Sequence, residues 1–173
     1  MRKAIWAGAG WREDWGIDVT MIHTEDLECP ECGCKQEVPV WGSVNIGIQP
    51  ELRTMLFGGE INSFRCEGCG FEALLGAPLL YHDPVRGFAV QYYPAEFILD
   101  DDFYETFESS YPVVMKGLRR EASEENPLPW EYMFHPHVVF DMGELVNCVA
   151  FFERLLPDKS QESDQERGWG GSE

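Results

Sequence analysis

Cys29-Pro30-Glu31-Cys32-Gly33 and Cys66-Glu67-Gly68-Cys69-Gly70, with 33 residues between Cys32 and Cys66, decide how this chain folds. Each stretch is a C-x-x-C pair followed by glycine. Two residues between thiolates let both sulfurs reach one ion at about 2.3 Å while the N–H groups of the turn face the sulfurs. Glycine after the second cysteine permits the positive φ that such a turn needs. Two turns brought face to face give tetrahedral coordination by Cys29, Cys32, Cys66 and Cys69 with no position left for water, the pattern of a structural zinc ion. Iron–sulfur ligation draws on the same four thiolates and is the main alternative. A thioredoxin-like redox pair requires a βαβ setting that the flanking sequence does not offer. A Cys29–Cys32 disulfide does not suit a cytosolic chain.

The stretch between the pairs exceeds the roughly 15–20 residues of a simple ribbon, and its pattern fills the surplus with structure. Residues 17–28 alternate in polarity and predict a strand delivering the chain to Cys29. Lys35 to Ile48 is rich in β-branched residues and predicts two short strands. Pro50 stands where a helix begins, and Leu52, Met55 and Leu56 form an i, i+3, i+4 stripe over Glu51–Phe57 that ends at Gly58-Gly59. Asn62 to Arg65 leads into the second pair. Phe71–Leu75, Pro78–His82 and Phe88–Tyr93 read as further strands, with a turn over 83–87.

Outside this region the character changes. Residues 1–16 are rich in Gly and Trp with no period. Asp100 to Asp102 cap a predicted helix from Phe103 to Tyr111, interrupted by Pro112 and resuming to Arg120. Residues 122–129 form a polar linker. His137–Phe140 predicts a strand, and Asp141 caps a helix running to Leu156, with Glu144 placed as in a capping box and Pro157 stopping it. Leu145, Val146, Val149, Phe152, Leu155 and Leu156 give that helix a wide apolar stripe, broadened by Cys148 and Phe151. The acidic, Gly-rich stretch 158–173 is expected to be disordered. The chain is thus divided into 1–16, a zinc-ribbon β region over 17–99, a helical portion over 100–157, and the tail. The fold class is α+β: a zinc-ribbon-centred antiparallel β domain with a few short helices and a C-terminal helix.

Composition narrows the function. The chain has 173 residues, 44% of them hydrophobic and 13% aromatic, enough for a sizeable core. Its formal net charge of -18 falls further when four thiolates bind one Zn²⁺. Such a surface repels phosphate backbones and anionic membranes, so nucleic acid is not an expected partner although zinc ribbons often bind it. Lys116, Arg119 and Arg120 are the only tight basic cluster. No apolar run reaches membrane-spanning length, no signal peptide is evident, and the six cysteines point to metal or free thiols in the cytoplasm.

Other candidates have plain rivals. His82 and Asp83 could form a catalytic pair, with Asp83 orienting His82 as a base in a hydrolase-like enzyme; the rival is a strand end that satisfies backbone groups. Cys34 is an alternative ligand, a reactive thiol, or a bystander. Cys148 reads as a small buried residue. Asn45 and Asn62 flank the short helix and are expected to bond backbone near the cysteine turns. His135 and His137 could share a cation with Glu131 or Asp141, or be ordinary loop histidines. Asp100 to Asp102 read as a cap, and Phe97, Phe103, Tyr104 and Phe107 as core.

The words Cys-Pro-Glu-Cys-Gly (29–33), Ser43-Val44-Asn45, Pro50-Glu51-Leu52, Gly59-Glu60-Ile61-Asn62, Cys66-Glu67-Gly68-Cys69-Gly70 and Leu80-Tyr81-His82-Asp83, in this order, resemble the CpXC domain family of bacteria and archaea. Val138-Val139-Phe140-Asp141 with Glu144-Leu145 is similar to the family's C-terminal strand and helix. The resemblance implies a zinc-ribbon-like domain in a bacterial or archaeal cytoplasm and implies no activity. The Trp-rich start, Cys34 and the acidic tail depart from the family pattern. The expectation is therefore a zinc-stabilised module for protein interaction or self-association, with Trp6, Trp11 and Trp15 and the stripe of the last helix as its interface anchors. Catalysis through His82 and Asp83, or through Cys34, is the second reading, and nucleic-acid binding the third.

Overall fold

The computed structural model describes residues 20–99 and 131–158. The expected Trp-rich segment 1–16, the helix over 103–120, the linker 122–129, Asp100–Asp102 and the tail beyond 158 lie outside the described residues.

Two hairpins carry the cysteine pairs. In the first, β1 (Ile22–Glu28) and β2 (Lys35–Trp41) run antiparallel through seven paired positions, from Ile22↔Trp41 at the base to Glu28↔Lys35 beside the turn. Val38 and Val40 are buried while Lys35, Glu37 and Pro39 are exposed, the period-two signature of a half-covered strand. In the second hairpin, β4 (Ser63–Arg65) and β5 (Glu72–Leu74) share three pairs. Leu27, Val38, Val40, Phe64, Leu75 and Ala77 close a small core between them that also takes in Cys29 and Cys66.

A second, larger body forms around a mixed sheet. Its strands lie in the order β3 (Ser43–Asn45), β6 (Leu79–Asp83), β7 (Phe88–Tyr92) and β8 (His137–Val139). Every residue of β6 and β7 is buried, because both strands are central and both faces are covered. Val44, Leu79, Tyr81, Phe88, Val90 and Tyr92 face α1 (Glu51–Phe57) and α2 (Met142–Leu155), whose Leu52, Leu56, Leu145 and Val149 complete this core. Burying Leu145 and Val149 completely contributes about 1.5–3 kcal/mol each. The reading of antiparallel pairing holds for both hairpins and for β6–β7. By contrast, β3–β6 and β7–β8 pair parallel.

Both helices end where local chemistry requires. Pro50 precedes α1 and supplies a fixed φ but no side-chain cap. Asp141 caps α2 by accepting from the N–H groups of Gly143 and Glu144, and the Glu144 carboxylate reaches back to the N–H of Phe140 at 3.3 Å. Leu156 is extended ahead of Pro157, the conformation that the clash with the proline ring favours for the residue before it. The helices are tied together across 100 positions by a bidentate pair, Arg53 to Glu153 at 2.6 and 2.7 Å. Among the described residues no helix is long and apolar enough to cross a membrane.

Candidate metal centre

The two cysteine turns repeat one backbone plan. In the first, the Cys29 N–H donates to the carbonyl of Cys34 and the Gly33 N–H donates to the carbonyl of Cys29, both at 2.8 Å. In the second, Cys66 N–H to Phe71 O and Gly70 N–H to Cys66 O have the same lengths. Gly33 has φ +72° and Gly70 φ +75°, a left-handed conformation that strains any residue with a Cβ. Each turn buries its first cysteine and exposes its second. The equivalence follows from the equal spacing of Cys and Gly in the two words.

The hairpins bring the turns together. Cys29 Sγ lies 3.7 Å from Cys69 Sγ and Cys32 Sγ lies 3.5 Å from Cys66 Sγ. All four sulfurs fall within 4.8 Å of one another, a set that could hold a metal ion. Four ligands about 2.3 Å from one centre stand about 3.8 Å apart along a tetrahedron's edges, so the spacing fits a single ion. A cluster of several irons divides its thiolates among separate metals and would spread them wider.

The electrostatics also fit a cation. Burial works against a Cys66 thiolate, yet the N–H groups of Cys69 and Gly68 and hydrogen bonds from the Cys29 and Cys32 thiols outweigh it, bringing the group down to about 6. The N–H of Cys34 favours a Cys32 thiolate, but the thiol's bonds to Cys66 and Cys69, with burial, push it up to about 12. Unaided, the four sulfurs cannot all carry charge at this distance. A divalent cation would remove the conflict, since coordination deprotonates thiols outright.

Two amide side chains that join the hairpins matter here. Asn62, fully buried with φ +52°, accepts from the Trp41 N–H at 2.8 Å and donates to the Trp41 carbonyl at 2.9 Å. The expected bonding to backbone is made, but at the base of the first hairpin, where Trp41 pairs with Ile22, and not near a cysteine turn as the sequence suggested. Asn45 also bonds backbone, accepting from the Gly47 N–H at 2.9 Å. Gln36, which no motif marks, grips the main chain on both sides of Cys66. Lys35 and Glu37 on either side are equally polar, so nothing in the sequence singles Gln36 out.

The remaining candidates fall elsewhere. Cys34 stands against Gly68 of the second turn but outside the four-sulfur group, and burial, followed by the charge of Cys66, raises its pKa. Cys148 is half-buried on α2 against the larger core, where burial again raises the thiol. His82 is buried, its Nδ1 3.3 Å from the Tyr132 hydroxyl and its ring stacked on Tyr132. Asp83 points to the opposite face of β6, because successive strand residues alternate. There its carboxylate accepts from the Arg86 N–H and from Arg86 Nη1, each at 2.9 Å. The structure thus does not aim Asp83 at His82. His137 is exposed with its ring edge-on to Phe152 at 5.9 Å, and Asp141 is committed to capping α2. The side chain of Glu131 lies outside the described residues. Among the described residues, His135 and His137 belong to no group of three potential ligands.

A family model described as CpXC protein matches residues 27–162, a span that holds both cysteine turns, every strand from β2 to β8, and both helices. No curated protein and no solved structure matches the chain.

Proposed function

The chain belongs to the CpXC family, and from that premise we propose that it is a zinc-stabilised module for protein interaction or assembly. The observation that carries the reading is the convergence of four sulfurs within 4.8 Å. Cys29, Cys32, Cys66 and Cys69 hold the ion, and soft thiolates arranged as S₄ suit Zn²⁺. With four protein ligands the ion keeps no open position, so its chemistry is structural: it joins two hairpins whose shared apolar core is small. Binding of this kind contributes on the order of 10 kcal/mol to folding. Free thiols so close together suit a reducing compartment, hence the cytoplasm. A partner is supported by the outer edge of α2, where Phe151 and Leu155 are 59% and 61% exposed while Leu145 and Val149 face inward. A second copy of the chain or another protein could cover that edge. The charge of -18 favours neither nucleic acid nor an anionic membrane.

Elemental analysis of protein purified without added metal tests the centre. One zinc per chain is expected, lost in Cys66→Ser and retained in Cys34→Ser. Stoichiometric iron, or no metal, would refute it. For the module, size-exclusion with light scattering and cross-linking in extract should give an assembly or a captured protein that Phe151→Glu with Leu155→Glu abolishes. A monomer that captures nothing would refute that half.

A further inference from the structure

We propose that Gln36 is a positioning residue for the metal: its side chain presets the second cysteine turn against the first, so that the ion meets a site already formed. The inference rests on the zinc reading above and adds a residue to it.

The two hairpins that must meet are unequal. The first stands on a ladder of seven paired positions, the second on three. No strand ladder joins them, since β1–β2 and β4–β5 are separate sheets. A three-pair stem is short for an independent hairpin, and the third and fourth sulfurs ride on it. Amide side chains stand in for the absent ladder at both ends of β2. At the base, Asn62 exchanges two bonds with the main chain of Trp41, the last residue of β2. At the tip, Gln36, the second residue of β2, donates from Nε2 to the Arg65 carbonyl at 2.9 Å and accepts at Oε1 from the Glu67 N–H at 2.9 Å. Arg65 and Glu67 flank Cys66. One side chain from the first hairpin therefore fixes the backbone on both sides of a sulfur of the second. That sulfur lies 3.5 Å from Cys32 Sγ, which belongs to the hairpin Gln36 comes from.

A group that orients a ligand without touching the ion acts on affinity and on the rate of release. Arg65 and Glu67 are exposed, so water can replace the bonds of Gln36 at little cost to global stability, and their effect is concentrated at the turn they hold. The two atoms are also chemically specific. A carbonyl must be met by a donor and an N–H by an acceptor, at one side chain's reach. A carboxamide supplies both; a carboxylate supplies only the acceptor, and a thioether neither to useful strength.

The test uses the full chain loaded with Zn²⁺, or with Co²⁺ as a spectroscopic stand-in. Gln36→Met keeps length and volume and removes both bonds; Gln36→Glu keeps the bond from Glu67 and loses the one to Arg65. Release into excess chelator should be about tenfold faster than wild type in Gln36→Met, with Gln36→Glu between the two. The cobalt absorption of Gln36→Met should broaden as the Cys66 sulfur loses its fixed place. Release within twofold of wild type in both variants overturns the proposal. So does a lowered melting temperature with unchanged release and an unchanged cobalt spectrum, which would make Gln36 merely structural. Wild-type protein that binds neither metal would instead overturn the zinc reading itself, a distinct result.

Discussion

Replacing Asn62 by alanine should cost far more than its size suggests. Asn62 is fully buried, sits at φ +52°, and makes two bonds to the main chain of Trp41 at 2.8 and 2.9 Å. Alanine leaves the N–H and carbonyl of Trp41 without partners. Each orphaned group costs about 1–3 kcal/mol, and the half-buried setting of Trp41 puts the pair near the lower part of that range, about 3 kcal/mol together. Alanine held in the left-handed region adds about 1 kcal/mol. The sum, about 4 kcal/mol, is a large share of the roughly 5–15 kcal/mol by which a domain is stable. Asn45 provides the comparison. It is as polar and nearly as buried, but its side chain accepts one bond, from the Gly47 N–H at 2.9 Å, so Asn45→Ala should cost about 1 kcal/mol. Urea unfolding followed by tryptophan fluorescence, with zinc held at one fixed excess because metal binding is linked to folding, measures both. With a slope near 2 kcal/mol/M the midpoint of Asn62→Ala should fall by about 2 M. A loss below about 1 kcal/mol, or one no larger than that of Asn45→Ala, would refute the reasoning that side-chain amides tie the hairpins together.

Gly70→Ala should lose about 1–2 kcal/mol from backbone strain alone, since φ is +75° and an added Cβ meets nothing within 4 Å. Gly33→Ala, at φ +72° with only an ordinary 3.8 Å contact, should lose the same amount; losses differing by more than about 1 kcal/mol would contradict the equivalence of the two turns. At alkaline pH the buried phenols decide stability. Burial, followed by the charge of Glu96, pushes Tyr92 up to about 12, and burial raises Tyr81 as well. Folded pKa values above the unfolded value of about 10 mean that this stability is whole below pH 10 and is lost as pH rises through about 12. Unfolding free energy measured across pH 8–12 checks the sign, alongside the phenolate absorbance of Tyr92 taken as the difference between wild type and Tyr92→Phe; a Tyr92 phenolate appearing in the folded protein at or below its ordinary pH would contradict it.

What could be read along the chain was whatever is decided within a few residues. The cysteine turns are local: spacing of three between sulfurs and a glycine one step on produce the same two hydrogen bonds twice. So is the start of α2, where Asp141 and Glu144 meet the N–H groups beside them, and so is α1 between Pro50 and Gly58. Most strand positions followed from alternation and from β-branched residues, although β4 (Ser63–Arg65) did not read as a strand, β1 starts at Ile22 rather than at residue 17, and residues 17–19 lie outside the described residues. The convergence of the four cysteines was legible because a shared cation is the strongest reason for two such turns to recur in one chain.

Tertiary structure alone decided the relations that span long separations. Nothing near β3 announces a parallel partner at β6, or near β7 one at β8, because the partners arrive from distant sequence and are selected by burial of both sheet faces. The sidedness of β6 sends His82 to Tyr132 and Asp83 to Arg86, dividing two residues that adjacency had suggested as a pair. Gln36 looks like any polar strand residue until Arg65 and Glu67 arrive from 29 and 31 positions away. Short-range sterics and hydrogen bonds write themselves into residue order, whereas contacts made by packing depend on which surfaces are left to be covered once every local element has formed.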